Sequence, residues 1–287
     1  MIPAQGLDVK LLRSVLAFYA VVVVSIFTAL PIGSLGAVSV RAQEKVIPPR
    51  SLLVAEHLRT LSFKKVVPGI QALKIVASNG VELIALRLNP DGFEFVLAMQ
   101  ASAQGEWVSD MGMRHNGQVA FNGGFFSINK KGEKTPVGLL MKNNVLYSSR
   151  WKKSGGYLVF RQGGISILQT AGNPAPVGDA VLQSKPVLIE PGAKWAMNTN
   201  RAIPKKRTMV CVDKAGDVIV VAIISGGLSL FEAGWLMREP EVGGYFGCDG
   251  AIAMDGGGST QIWVKDRPDL SFPGETPVHN GVVIQRQ

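Results

Sequence analysis

The stretch Arg207–Ser225, RTMVCVDKAGDVIVVAIIS, decides how this chain folds. Two apolar runs rich in β-branched residues flank Asp213–Gly216, whose sequence DKAG suits a tight reversal. The runs alternate too little to leave one face in water, so this hairpin is expected at the buried centre of a sheet. Upstream, Val81–Gln100, VELIALRLNPDGFEFVLAMQ, also reads as strand, turn, strand, with proline and glycine placed for a turn at Asn89–Gly92, and a second hairpin is expected there. Gly105–Gly117 fits a short helix leading into the strand Gln118–Phe121. The clearest helix is Ser229–Pro240, SLFEAGWLMREP: Ser229 and Glu232 form a capping box, Leu230, Ala233, Leu236 and Met237 recur on one face, and Pro240 closes it. Strands run through both halves of the chain, helices are few and no internal repeat occurs. The expected fold class is α+β, a single mixed, β-sheet-rich domain over residues 60–287.

The amino terminus reads differently. Lys10 and Arg13 precede an uncharged segment, residues 14–40, that ends in SVRAQ, where Val40 and Ala42 fit the small-residue pattern of signal-peptidase cleavage. Residues 1–42 are therefore expected to be a signal peptide, or a membrane anchor if uncleaved, since about 20 apolar residues suffice to cross a bilayer. Residues 43–59, around EKVIPPRS, are expected to be a linker. The protein is expected to be exported to the periplasm or outside the cell, with contact to a membrane only through an uncleaved residue 14–40 segment.

The 287 residues are 47% hydrophobic and 18% charged, an ordinary globular composition. The formal charge of +9 suits an anionic partner or a solvated basic surface. Nucleic acid is not expected, because no binding motif is present and an exported protein seldom meets it. The two cysteines, Cys211 and Cys248, could pair in an oxidising compartment or remain as buried thiols. No G-x-S-x-G elbow, phosphate loop or H-E-x-x-H pair occurs, and His57, His115 and His279 lack ligand spacing. Carboxylates, amides, arginine and glycine-lined backbone remain to carry chemistry, with no cofactor and no metal expected.

Two glycine loops share a design. VAFNGGFF, Val119–Phe126, and AIAMDGGGST, Ala251–Thr260, each run from a strand-like segment into a polar residue and then glycines. Glycine loses more backbone freedom on folding than any other residue, so such runs point to sharp turns or to close approach of backbone to a ligand. Exposed amides at strand ends can hold an anion or a sugar hydroxyl, with Asn122 or Asp255 projecting beside them.

NGGFF, then PVGLL at Pro136–Leu140, LQSKPVLIEPG at Leu182–Gly192, the arginine opening RTMVCVDKAGDVIVV, DGGGST, and PVHNGVVI at Pro277–Ile284 occur in the order seen in the phosphodiester glycosidase family, which residues 60–287 resemble. The resemblance implies an exported hydrolase that cleaves the bond between a sugar's anomeric carbon and a phosphodiester oxygen, in envelope glycopolymers or related compounds. Its partner would then be an anionic sugar phosphate or envelope glycan. It also implies catalytic roles for Asp255, Arg207 and Asn122, and substrate binding by Gly123, Gly124, Phe125, Gly138, Gln183, Ser184, Gly256, Gly257, Gly258, Ser259 and Thr260. RTMVCV departs from the R-x-A or R-x-x-I-G usual after that arginine, and the chain lacks the dense cysteine pattern of animal members.

Glycosidic cleavage commonly uses two carboxylates. Asp255 suits one as acid, base or nucleophile. A phosphodiester leaving group needs little protonation, and Arg207 with backbone amides would stabilise its charge. Asp249, Asp213 and Glu232 lie near matched motifs, and nothing in the sequence ranks them for the second role. The rival expectation is a glycan- or phosphoglycan-binding protein of the envelope, or an exopolysaccharide assembly factor, that cleaves nothing.

Overall fold

Alternation along the central strands decides the layering. In β16 (Val218–Leu228), Val218, Val220, Ala222 and Ile224 belong to one apolar cluster, and Ile219, Val221 and Ile223 belong to another. Neighbouring side chains on a strand face opposite ways, so Val218–Ile224 of β16 is buried on both faces, which is why that run is apolar without interruption. A computed structural model describes residues 48–151, 154–170, 176–200 and 203–287. The leader expected in residues 1–42, and the start of the expected linker, lie outside the described residues. Among the described residues, no helix is long and apolar enough to cross a membrane.

β16 sits inside an antiparallel eight-stranded sheet. Its order is β1 (Lys64–Val67), β2 (Ile70–Val76), β3 (Glu82–Leu88), β16, β15 (Lys205–Asp213), β17 (Cys248–Ala253), β13 (Val187–Glu190) and β14 (Lys194–Trp195). One face packs on the helices α1 (Pro49–Arg59) and α3 (Leu230–Met237), through Val54, Ala55 and Leu58 from α1 and Ala233, Leu236 and Met237 from α3. The capping box of Ser229 and Glu232 is present in full, so the serine hydroxyl and the glutamate each satisfy a backbone N–H that the first turn of α3 leaves open. Helix α1 occupies most of the stretch expected to be a linker; its buried Val54, Ala55 and Leu58 make it part of the domain core.

The opposite face packs on two smaller antiparallel sheets. One has the order β18 (Ile262–Val264), β5 (Val119–Asn122), β19 (Asn280–Arg286), β4 (Phe93–Met99). The other runs β11 (Gly164–Gln169), β10 (Gly156–Arg161), β12 (Ala180–Ser184), β8 (Leu140–Lys142), β9 (Val145–Ser148). Phe95, Leu97 and Phe121 from the first and Leu140, Leu158, Phe160 and Leu182 from the second share one cluster with Leu86 and Val220. A two-stranded ribbon, β6 (Phe126–Ile128) with β7 (Lys134–Pro136), and the short helix α2 (Val108–Arg114) complete the fold. The fold class is α+β, a single β-rich domain with few helices, as expected.

The hairpin expected at Arg207–Ser225 forms as β15 and β16, with the Asp213 carboxylate accepting from the amides of Ala215 and Asp217. The other expected hairpin does not form. Asn89–Gly92 turns the chain, but β3 pairs with β2 and β16 whereas β4 pairs with β19. The turn fixes a reversal only, and pairing goes to strands far away in sequence that bury the faces of β3 and β4 in separate sheets.

Cys211 of β15 and Cys248 of β17 form a disulfide with a Cα separation of 5.7 Å. It bridges 37 residues of sequence, so the chain-entropy estimate of its contribution is roughly 4 kcal/mol. Reduction, or the double change Cys211→Ala with Cys248→Ala, is expected to lower stability by about 2–5 kcal/mol, read as a lower denaturation midpoint in urea.

Candidate functional site

The two glycine loops meet. β5 ends at Asn122 in the four-stranded sheet and β17 ends just before Asp255 in the eight-stranded sheet, and the Asp255 amide donates to the Gly123 carbonyl at 3.1 Å. The Asn122 side chain closes the junction. It donates to the Asp255 carbonyl at 2.7 Å, and its own oxygen accepts from the Thr208 hydroxyl at 2.6 Å and the Gln261 amide at 3.0 Å. Asn122 is fully buried and does not line the cleft described below, so the structure makes it a tie between three segments.

Strand register brings Arg207 to the same place. β15 and β17 pair Met209 with Ala253, and the Met254 amide donates to the Thr208 carbonyl at 2.9 Å, so continuing the ladder sets Arg207 across from Asp255. The Arg207 Nε donates to Leu228 and its Nη2 to Ile203, both to backbone carbonyls. Burial lowers its pKa, and no carboxylate among the described residues offsets that pull. A Cβ placed on Gly256 would lie 3.8 Å from Nη1, so the guanidinium rests over the glycine loop.

These groups open into a cleft of about 690 Å³. Asp255, Gly256 and Gly257 form part of its wall; Arg207, Lys205 and Lys185 supply positive charge; Phe125, Leu230 and Met254 supply apolar surface. Burial pushes the Asp255 carboxyl above the ordinary aspartate range, against the lowering pull of the Ser259 hydroxyl and the Gly256 amide, which donates to Oδ1 at 2.9 Å. Gly257 takes φ +62, the left-handed region that favours glycine, and nothing lies within 4 Å of where its Cβ would stand. Its backbone therefore faces open space on the cleft side.

The remaining expected residues divide by role. Phe125 lines the cleft, with its ring 6.0 Å from that of Trp151, over which the Lys185 ammonium sits at 4.4 Å. Gly123, Gly124, Gly138, Gln183, Ser184, Gly258, Ser259 and Thr260 are not part of the cleft wall. Gly123 and Gly124 pack too closely for a side chain, since a Cβ on Gly123 would stand 2.0 Å from the Asn280 Oδ1 and one on Gly124 2.8 Å from Leu182. Gln183 spends both ends of its amide on the backbone, accepting from Leu139 and Trp151 and donating to Trp151 and Ser154. It thereby holds the backbone of Trp151 and of Ser154, and Ser154 lines the cleft. Ser184 donates to the Ala253 carbonyl at 2.6 Å and ties β12 to the end of β17. Gly138, at φ +89, packs beneath the Trp151 ring. Gly258 accepts from the Glu275 amide, and Ser259 and Thr260 are buried in the turn that returns the chain to β18.

None of the three acids weighed from sequence for a second carboxylate lines the cleft. Asp213 braces the β15–β16 turn, Glu232 caps α3, and Asp249 accepts from the Gly192 amide away from the cleft. Glu190, at the end of β13, shares the cleft wall with Asp255. Sequence reasoning did not weigh Glu190, because nothing in LQSKPVLIEPG shows that this residue borders the cleft.

Behind the first glycine loop, Asn280 accepts from the Gly124 amide at 2.8 Å, and its Nδ2 lies 3.2 Å from the Nδ1 of buried His279. Burial lowers the His279 pKa to about 4 from an ordinary 6.5. Between those pH values the unfolded chain binds a proton that the folded chain refuses, so stability falls as pH drops through this window, by up to about 3 kcal/mol. Thermal melts of His279→Gln are expected to show a flatter dependence on pH between 6.5 and 4 than the parent chain.

Comparison with known proteins agrees on the fold. Two solved structures are similar at 14% identity: a Synechocystis protein, with TM-score 0.55 over 79% of this chain and 64% of its own, and the zebrafish N-acetylglucosamine-1-phosphodiester α-N-acetylglucosaminidase catalytic domain, auto-inhibited by its pro-peptide, with TM-score 0.55 over 78% of this chain and 86% of its own. No curated protein matches the sequence. Residues 115–285, which run from the end of α2 through both glycine loops and Arg207 into β19, match the phosphodiester glycosidase family, and the chain belongs to it.

Proposed function

We propose that this chain is an exported hydrolase of glycosyl phosphodiesters, cleaving the bond from the anomeric carbon to the phosphodiester oxygen. The observation that carries the reading is the convergence on one cleft of a desolvated carboxylate at Asp255 and a guanidinium at Arg207 that is held by two backbone carbonyls. A phosphate held by Arg207, with Lys205 and Lys185 nearby, sets its sugar toward Asp255. The C1–O bond breaks with its electron pair leaving on the phosphate oxygen, and water supplies hydroxyl to C1 and a proton to the products. Asp255 acts at C1 or on the attacking water, and Glu190 is the second carboxylate available in the cleft. The phosphate monoester leaves as a stable anion, which is why one arginine and a glycine-lined loop suffice on that side. The Cys211–Cys248 disulfide supports an oxidising compartment, as export would provide.

The test incubates the purified chain with UDP-N-acetylglucosamine and related sugar phosphodiesters in heavy-oxygen water. Free sugar is expected together with a phosphate product that carries no label, since C1–O cleavage leaves the bridging oxygen on phosphorus. Label in the phosphate, with sugar phosphate released, would mean P–O cleavage and overturn the reading. Arg207→Gln is expected to lower kcat/KM by about a hundredfold or more, since it removes the charged donor from the leaving group.

A further inference from the structure

Arg207 lines two spaces. The second is a smaller hollow of about 240 Å³ that shares Arg207 and Leu230 with the main cleft and is otherwise walled by Met197, Thr199, Ile203, Ser229 and Phe231. Its chemistry differs from that of the cleft. Asp255, Glu190, Lys185 and Lys205 all belong to the larger space. The one buried hydroxyl in the smaller space, on Ser229, is committed: it accepts from the Glu232 amide at 3.1 Å and donates to Asn200 Oδ1 at 2.9 Å. Thr199 is exposed, Met197, Ile203, Leu230 and Phe231 supply the apolar surface, and Phe231 is held edge-on against Trp195 with ring centroids 5.2 Å apart. Ile203 is 54% exposed, an apolar side chain left in water at the mouth of an apolar hollow.

We infer that this hollow takes the aglycone of the phosphodiester and that the aglycone is a hydrocarbon chain, so the substrate class is a sugar phosphate ester of a lipid alcohol. The inference rests on the glycosyl phosphodiesterase reading above and names its missing half. A phosphodiester has two ester arms, and Arg207 lines both spaces. With the sugar arm toward Asp255, the other arm passes Arg207 into the hollow. A sugar aglycone would leave its hydroxyls facing Met197, Ile203, Leu230 and Phe231, whereas a methylene chain loses only its contact with water there.

The test measures binding and needs no turnover. Isothermal titration compares octyl phosphate, methyl phosphate and glucose 6-phosphate on the full chain, with octyl phosphate kept below its micelle concentration. Octyl phosphate is expected to bind at least tenfold tighter than methyl phosphate, the order of gain that burying a few methylenes gives. Ile203→Ser, at an exposed position that leaves the core untouched, and Phe231→Ala are each expected to erase most of that preference while methyl phosphate binding stays unchanged. Arg207→Gln is expected to weaken all three ligands. Equal affinities for octyl and methyl phosphate, tightest binding of glucose 6-phosphate, or an octyl preference untouched by Ile203→Ser would each overturn the inference. Failure of the hydrolase reading looks different, as absence of free sugar from every phosphodiester with the alkyl preference still present.

Discussion

Asp255→Asn is expected to reduce sugar release by about a thousandfold or more while the protein stays folded. The backbone of Asp255 does the structural work: its amide donates to Gly123 and its carbonyl accepts from Asn122, and both bonds survive the change. Asparagine also keeps an oxygen for the Gly256 amide that now meets Oδ1. The charge and the titratable proton are lost, and the Ser259 hydroxyl that bonds the carboxylate turns to accept from the new amide nitrogen. Burial raises the pKa of Asp255, so ionising it costs more in the folded chain than in the unfolded one, and stability falls as pH rises from the ordinary aspartate range through the elevated pKa. Asp255→Asn should therefore melt at the same temperature as the parent chain or higher at neutral pH, with the gap closing in acid. Activity lost together with a lower melting temperature would mean that Asp255 is structural. The pH profile of the parent enzyme then assigns the role. A rate that rises with pH through the elevated pKa marks the ionised form as nucleophile or base; a rate that falls marks the protonated form as general acid.

The sequence made the central hairpin legible because its signal is local and redundant: β-branched runs, a turn, and apolar residues at both parities of β16. The capping box of α3 was legible for the same reason, since Ser229 and Glu232 sit three residues apart and satisfy each other's backbone. The partner of β4 was not legible, because β19 lies almost at the other end of the chain and pairing at that distance is set by which faces need covering. α1 was read as linker from its Pro-Pro-Arg start, although a proline in the first turn is compatible with a helix and Val54, Ala55 and Leu58 bury one side of it. In the site, the glycine loops announced themselves by composition. What composition does not carry is direction. The triple glycine shows that backbone comes close to something, and the structure divides its members: Gly256 and Gly257 face the cleft while Gly258 faces Glu275. Likewise Gln183 and Ser184, expected to bind substrate, are committed to backbone partners and shape the wall from behind.

Asn122→Ala is expected to cost about 3 kcal/mol or more of stability and to lower activity only as a consequence, because Asn122 does not reach the cleft. Its amide satisfies three groups at once: the Asp255 carbonyl, the Gln261 amide and the Thr208 hydroxyl. Alanine leaves all three without that partner in a fully buried place, and a buried unsatisfied group costs roughly 1–3 kcal/mol. Thr208→Val separates position from chemistry. It removes one bond to the Asn122 oxygen and leaves the Gln261 amide there, so its cost should be about 1 kcal/mol, with kcat nearly unchanged. Asn122→Ala also frees the turn that sets Asp255 opposite Arg207, and kcat should fall while the pH at which activity is half-maximal moves toward that of an ordinary aspartate, as the loosened loop lets water reach the carboxylate. Urea denaturation and pH–rate profiles of the two variants decide the matter. A group that touched substrate would give the opposite pattern for Asn122→Ala, with activity lost at unchanged stability and unchanged pH dependence. Because the tie joins the end of β5, the start of β15 and the loop after β17, the two glycine motifs act as one device: Asn122 in the first fixes the backbone on which the second presents Asp255.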